Sequence, residues 1–292
     1  MHNQQKNGTS LPLTLAASAL LLGASHASAQ DAEVAVLDTS ESRLSATVGG
    51  DFTSAYFFRG YLQEDEGLIF QPYAELGMAL LLPDNDDSIG LSASLGTWNS
   101  FHSEQTGATG GGAESWYESD IYATLTLAWK RLELSAGYTF YMYPNSTFNT
   151  VQEAFVSVGF DTPDDTIFGK IIGDPSLTLS FETDNSNVSS SEASYAQIDF
   201  GPSFEVFGGK ATVSVPVSIG LSIDDYYVGT DDEAFGFASV AVNAEVPLHS
   251  GEWGEVVLNF GGTLLLLGDT TKAANSGDEV DGFFYAGVSV AF

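Results

Sequence analysis

Ten carboxylates, Asp51, Glu75, Glu118, Asp120, Glu133, Glu153, Glu182, Asp199, Glu205 and Glu245, fall on the polar rows of segments whose alternate rows are apolar. Only Arg59 and, at a segment end, Lys130 oppose them. If those rows face water inside an enclosed structure, they set a negative potential that favours cations over anions. If they face packed protein instead, the acids must be protonated or hydrogen-bonded to Tyr, Ser, Thr and Asn. Asp51, Arg59, Glu75, Glu118, Asp120, Asp199 and Glu205 are the residues expected to line such an interior and meet a small solute. For Arg59 two readings stand side by side, a structural tie at the rim or a direct solute contact. An inward charge needs a counter-group, so its expected partners are Asp51 on its own segment or Gln71 and Glu75 on the next.

Hydrolytic chemistry needs a nucleophile beside a base. Beyond residue 29 the only histidines are His102 and His249. Ser103 follows His102 directly, and adjacent side chains of a strand point to opposite faces, whereas Ser100 shares the face of His102 and Glu104 is near in sequence. His102 reads as a loop or rim residue, and no enzymatic activity is expected. Cysteine is absent, which excludes thiol nucleophiles and cysteine-bound metal. Gly110, Gly111 and Gly112 have no following Lys and open no helix, so they read as a connector and not as a phosphate cradle. Acidic clusters at 64–66, at 231–233 and at 278, 279 and 281 offer oxygens that calcium or magnesium prefers. None has the spacing of a calcium loop, so solvated charge is the plainer reading, with Asp231, Asp232 and Glu233 kept as weak metal candidates. No cofactor is expected.

These side chains must be positioned by β-strands. From Arg43 onward, twelve alternating segments are separated by Gly, Asp, Asn and Ser clusters: 44–58, 68–82, 89–101, 115–129, 132–144, 150–161, 175–184, 193–207, 211–224, 235–248, 256–268 and 282–292. In the fourth, Tyr117, Ile121, Ala123, Leu125, Leu127 and Trp129 form an apolar row against Glu118, Asp120, Tyr122, Thr124 and Thr126. In a closed barrel the first set meets lipid and the second lines the interior, since every backbone hydrogen bond is made between strands and no edge remains. Rings near segment ends, Tyr56, Phe58, Tyr117, Trp129, Phe235 and Phe284, suit the headgroup level. Connections alternate between long polar ones and tight turns, except 162–174, a long one on the expected inner side. That exception marks either an extra short element or an error in the strand count.

Both chain ends suggest export. Lys6 precedes an apolar run from Leu11 to Ala24 and an Ala27-Ser28-Ala29 cleavage pattern, so residues 1–29 are read as a signal peptide and 30–42 as a periplasmic tail. The run is too short to span a bilayer as a helix. The last strand alternates Phe284, Ala286, Val288, Val290 and Phe292 with Phe283, Tyr285, Gly287, Ser289 and Ala291. It resembles the sorting signal read by the outer-membrane barrel assembly machinery. The formal net charge is −31 with only 8 Lys and Arg, which excludes nucleic acid as a partner. The charge also suits a secreted soluble protein, the alternative that the apolar rows argue against.

The stretch from Val48 to Gln63 carries Ser54, Tyr56, Phe58, Arg59, Gly60 and Gln63 in the pattern S-x-Y-x-F-R-G-x-x-Q, with Pro72 and Tyr73 shortly after. This resembles the opening of an uncharacterised Gram-negative outer-membrane, porin-like family. The resemblance covers roughly 30 residues and implies an outer-membrane barrel with no settled activity. The expected fold is thus an all-β, closed, antiparallel transmembrane barrel of about twelve strands over 43–292, with both termini periplasmic. The expected role is passage of small hydrophilic, cationic or neutral solutes. The alternative is a structural or surface barrel whose acidic loops bind lipopolysaccharide, divalent cations or a protein partner.

Overall fold

In the computed structural model the described residues are 43–83, 85, 87–104, 115–146, 148–163, 166–186, 188, 191–229, 232–251 and 254–292. The expected signal peptide and periplasmic tail, 1–42, lie outside them. The chain forms strands β1 (Leu44–Thr53), β2 (Tyr56–Phe58), β3 (Tyr61–Glu64), β4 (Ile69–Leu81), β5 (Ile89–His102), β6 (Trp116–Trp129), β7 (Leu132–Met142) and β8 (Val151–Phe160). Helix α1 (Ile167–Ile172) precedes β9 (Ser176–Asp184), β10 (Ser194–Phe200), β11 (Ser203–Val206), β12 (Ala211–Ser214), β13 (Val217–Asp224), β14 (Phe235–Gly251) and β15 (Gly254–Leu267). Helix α2 (Asp269–Ala274) and β16 (Val280–Ala291) end the chain.

All strands except β2 and β3 belong to one antiparallel sheet that closes on itself, because β1 pairs with both β4 and β16 while β14 pairs with β15. Counting β10 with β11 and β12 with β13 as single staves gives the twelve that the sequence indicates. Those two staves are broken where Pro202 and Pro216, which lack an N–H, interrupt the ladder. The long connection at 161–175 contains α1 and does not disturb the count. The 14-residue β6, rising ~3.3 Å per residue and tilted ~40°, has a height of about 35 Å, enough for a bilayer core.

Alternation partitions the faces as expected over most of the wall. On β16, Phe283, Tyr285, Gly287 and Ser289 are buried while Phe284, Ala286 and Val288 are exposed. Ile121, Leu125 and Trp129 on β6, Leu76 and Met78 on β4, and Phe260 and Leu264 on β15 continue this apolar exterior. Among the described residues no helix is long and apolar enough to cross a membrane. The fold is therefore a closed β-barrel with a lipid-compatible outer face.

The first stave departs from expectation. It ends at Thr53 and not at residue 58, after which the chain leaves the wall: Ser54 bonds back to Phe284 through both its N–H and its hydroxyl. Residues 56–64 form a separate β2–β3 hairpin. Tyr56 and Phe57 are consequently both buried, where alternation assigns one to lipid. Tyr117 is a second correction. Ser100 pairs with Glu118 and Phe101 with Trp116, so Tyr117 is a bulge residue that turns inward, and Trp116 takes the exposed position. Tyr56 and Tyr117 thus form no part of an interfacial girdle, whereas Trp129, Phe235 and Phe284 are exposed near strand ends.

Candidate functional site

The hairpin crosses the interior at the end of the barrel opposite the termini and reaches β6, β8 and β9. Its tip is a two-residue turn, Arg59 at φ 48° and Gly60 at φ 86°, flanked by the Phe58–Tyr61 pair. Two consecutive positive φ angles make a type I′ turn, which matches strand twist and needs glycine at one position. The tip is tied on every side. Asn275, capping α2, donates to the Gly60 carbonyl at 2.8 Å and accepts from Leu62 N–H at 2.9 Å. Tyr227 Oη donates to the Arg59 carbonyl at 3.0 Å. At the base of the hairpin, Tyr56 Oη donates to Glu118 Oε2 at 2.8 Å and Tyr117 Oη to Gln63 Oε1. Phe57 stacks on Phe283 and Tyr61 on Tyr227.

Arg59 itself is 1 % exposed and reaches the far wall. Its two terminal nitrogens donate to Glu153 Oε2 and Oε1 at 2.7 and 2.8 Å, a bidentate pair. One also donates to Tyr226 Oη at 3.0 Å, the other to Ser180 Oγ at 3.4 Å. The guanidinium carbon lies 4.1 Å from the centre of the Tyr195 ring, with Phe58 and Tyr226 each at 5.2 Å. Burial pushes the Tyr226 and Tyr227 phenols well above their ordinary range, so both remain neutral hydrogen-bonding groups. The expected partners Asp51, Gln71 and Glu75 are not the ones used. The counter-charge is on β8, five staves from β1 round the ring, because the hairpin carries Arg59 away from its own stave.

The remaining predicted residues are placed as follows. Asp51 is buried on β1, packed over Gly287. Glu75 on β4 is half-buried and hydrogen-bonded by Tyr122 and Ser94. Glu118 and Asp120 are buried side by side on the inner face of β6, and Glu118 Oε1 and Asp120 Oδ1 have no hydrogen-bond partner among the described residues. Asp199 accepts from Ser218 at 2.6 Å and from Gln197 at 2.9 and 3.0 Å. Glu205 is exposed on β11 near the end that carries the termini. Lys130 is also at that end, paired with Asp87 at 3.0 Å. Arg59, Glu118 and Asp120 are therefore brought to the hairpin, and Glu75, Asp199 and Glu205 are not.

His102 is a correction. It is not a rim residue but 2 % exposed, stacked on Tyr117, with Nε2 2.8 Å from Ser100 Oγ and Nδ1 3.9 Å from Glu64 Oε2. Ser103 instead accepts from Leu68 N–H. Glu64, expected in a solvated cluster with Asp65 and Glu66, is fully buried and accepts both of their backbone N–H groups through Oε1. Ser, His and Glu are thus aligned, but the carboxylate is beyond hydrogen-bond range and the serine is fully buried.

Of the weak metal candidates, Asp231 lies outside the described residues. Asp232 accepts from Ser222 Oγ at 2.9 Å and Glu233 from Thr270 N–H at 3.0 Å, so both knit loops together. Among the described residues no group of three or more His, Asp or Glu side chains could hold a metal. Tyr195, Tyr226, Tyr227 and Asn275 were not foreseeable as site residues from alternation alone. The signal for two of them is an aromatic pair, Tyr226-Tyr227, directly after two aspartates in a polar connection.

No protein-family model and no curated protein matches the chain. Solved structures similar in fold include an outer-membrane channel from Pseudomonas putida F1, 13% identical, covering 85% of this chain and 95% of that one with a TM-score of 0.48. The NanC porin is 11% identical over 84% of this chain and 98% of its own, TM-score 0.43. Outer membrane phospholipase A from Escherichia coli is 9% identical over 84% and 92%, TM-score 0.43.

Proposed function

We propose that the protein is an outer-membrane channel for small hydrophilic, cationic or neutral solutes, held shut in this conformation by its first connection. The observation that carries this reading is the charge balance of the interior. Asp51, Glu64, Glu118, Asp120 and Glu153 are buried there, against Arg59 as the one buried Lys or Arg among the described residues. An apolar exterior and a polar, acidic interior are the arrangement that conducts cations when water enters. Export by the leader, periplasmic termini, delivery to the barrel assembly machinery by β16, and kinship with the porin-like family of the S-x-Y-x-F-R-G-x-x-Q pattern belong to the same proposal. Planar-bilayer recording in a potassium chloride gradient tests it. A reversal potential of the cation-selective sign supports it, and the absence of conductance both with and without the β2–β3 hairpin ends it.

One observation favours a second reading, a structural or surface barrel whose acidic loops meet lipopolysaccharide, divalent ions or a protein. The hairpin is hydrogen-bonded across the interior to Glu118, Glu153, Tyr227 and Asn275, as a packed segment is. Neutralising the exposed loop acids Asp278 and Glu279, which take no part in holding the hairpin, separates the two, since a surface barrel loses its ligand and a channel keeps its conductance. A hydrolytic role finds no support in Ser100, which has neither exposure nor an engaged acid.

A further inference from the structure

The wall that faces the hairpin tip is built as a receptor for a planar cation. Glu153 presents both oxygens to two guanidinium nitrogens at 2.7 and 2.8 Å, Tyr226 and Ser180 take further N–H groups, and the Tyr195 ring covers one face at 4.1 Å. These four side chains are all at most 2 % exposed. The wall also has supports that do not involve Arg59. Tyr141 Oη donates to Glu153 Oε1 at 3.3 Å, and Tyr195 Oη donates to Gln197 Oε1 at 2.7 Å. An ammonium, a compact point charge, is drawn to an aromatic face but can neither stack flat on it nor pair bidentately with the carboxylate. Arg59 reaches this site from a connection and not from a stave, so it occupies the site as a tethered ligand occupies its receptor.

We infer that Glu153, Tyr195, Tyr226 and Ser180 form a recognition site for guanidinium-bearing solutes, and that such solutes compete with the plug's own Arg59 for it. The use of the site in transport rests on the channel reading, while binding rests on the wall geometry alone. Because Arg59 is tethered, its effective concentration is of millimolar order or above, so competition in the intact protein needs millimolar solute.

The test is calorimetric titration of the folded R59A barrel with agmatine and with cadaverine, which carries an ammonium where agmatine has the guanidinium. Agmatine is expected to bind about tenfold more tightly than cadaverine, and R59A/E153Q to abolish that preference. R59M, which keeps an unbranched stem against Tyr195, substitutes if R59A does not fold. In the intact protein, millimolar agmatine but not cadaverine is expected to raise bilayer conductance. Equal binding of the two amines, or a preference that survives E153Q, overturns the inference and leaves Arg59–Glu153 a structural tie. A barrel that never conducts yet retains the calorimetric preference retires the channel and not the site.

Discussion

The two halves of the barrel interior are made of different material. Toward the termini the inward positions, Glu75 and Asp199 apart, are mostly short and polar: Thr126 pairs with Ser135 at 2.9 Å, Thr178 with Ser157 at 3.2 Å, and Asn259 with Ser289 at 3.2 Å. Each of these bonds joins neighbouring staves and leaves the axis to whatever fills it. Toward the opposite end the inward positions are Tyr, Trp, Glu and Arg, and the hairpin passes between them. Short hydroxyls line a wall, whereas long rings and a bidentate ion pair hold an inserted segment. The same ladder of backbone bonds thus carries a lining of short polar side chains in one half and an inserted hairpin in the other. Gly236 shows how closely the stopper's supports are packed, since the Tyr227 ring lies where a Cβ at that position would be.

This contrast predicts unequal sensitivity to substitution. Removing one partner of the buried ion pair, E153A, strands the Arg59 charge and is expected to destabilise the barrel by about 3–5 kcal/mol in urea unfolding. The double variant R59M/E153M should recover most of that loss, and a loss that persists would show that packing and not charge holds the tip. On the outer wall, L125R places a cation against lipid and should cost about 2–4 kcal/mol if Leu125 lies near the bilayer midplane. In the hydroxylic half, T126V removes one hydrogen bond to Ser135 and should cost about 1 kcal/mol. An effect there as large as that of E153A would erase the distinction between the halves. The smallest effect concerns chemistry. A fluorophosphonate probe should leave Ser100 unlabelled in the intact protein, and labelling would reveal a reactive serine that the buried geometry does not allow.

The barrel wall was legible in the sequence because period-2 alternation is local. Phe284, Ala286 and Val288 against Phe283, Tyr285 and Gly287 need no partner to declare their faces. The stave count survived the two proline breaks because Pro202 and Pro216 interrupt hydrogen bonding without reversing the chain. The plug was not legible, because Ser54 to Phe58 continues the alternation of β1 after leaving it. Only the Arg59-Gly60 turn hinted at a hairpin. The partner of Arg59 is 94 residues away, five staves round a ring whose closure no local pattern encodes. The burial of His102 is hidden for a related reason, since a residue at the end of a stave is at a rim only if nothing folds over it, and here Glu64 does.

The most direct test replaces residues 55–66 by a short Gly-Ser linker and compares single-channel conductance with that of the intact protein in planar bilayers. The wall ladders involve none of those residues, so the shortened barrel should remain heat-modifiable on gels. Its conductance should rise by about an order of magnitude and stay cation-selective, as expected of an acidic passage freed of its stopper. Equal conductance with and without the hairpin would contradict the assignment of residues 56–64 as the element that closes the barrel.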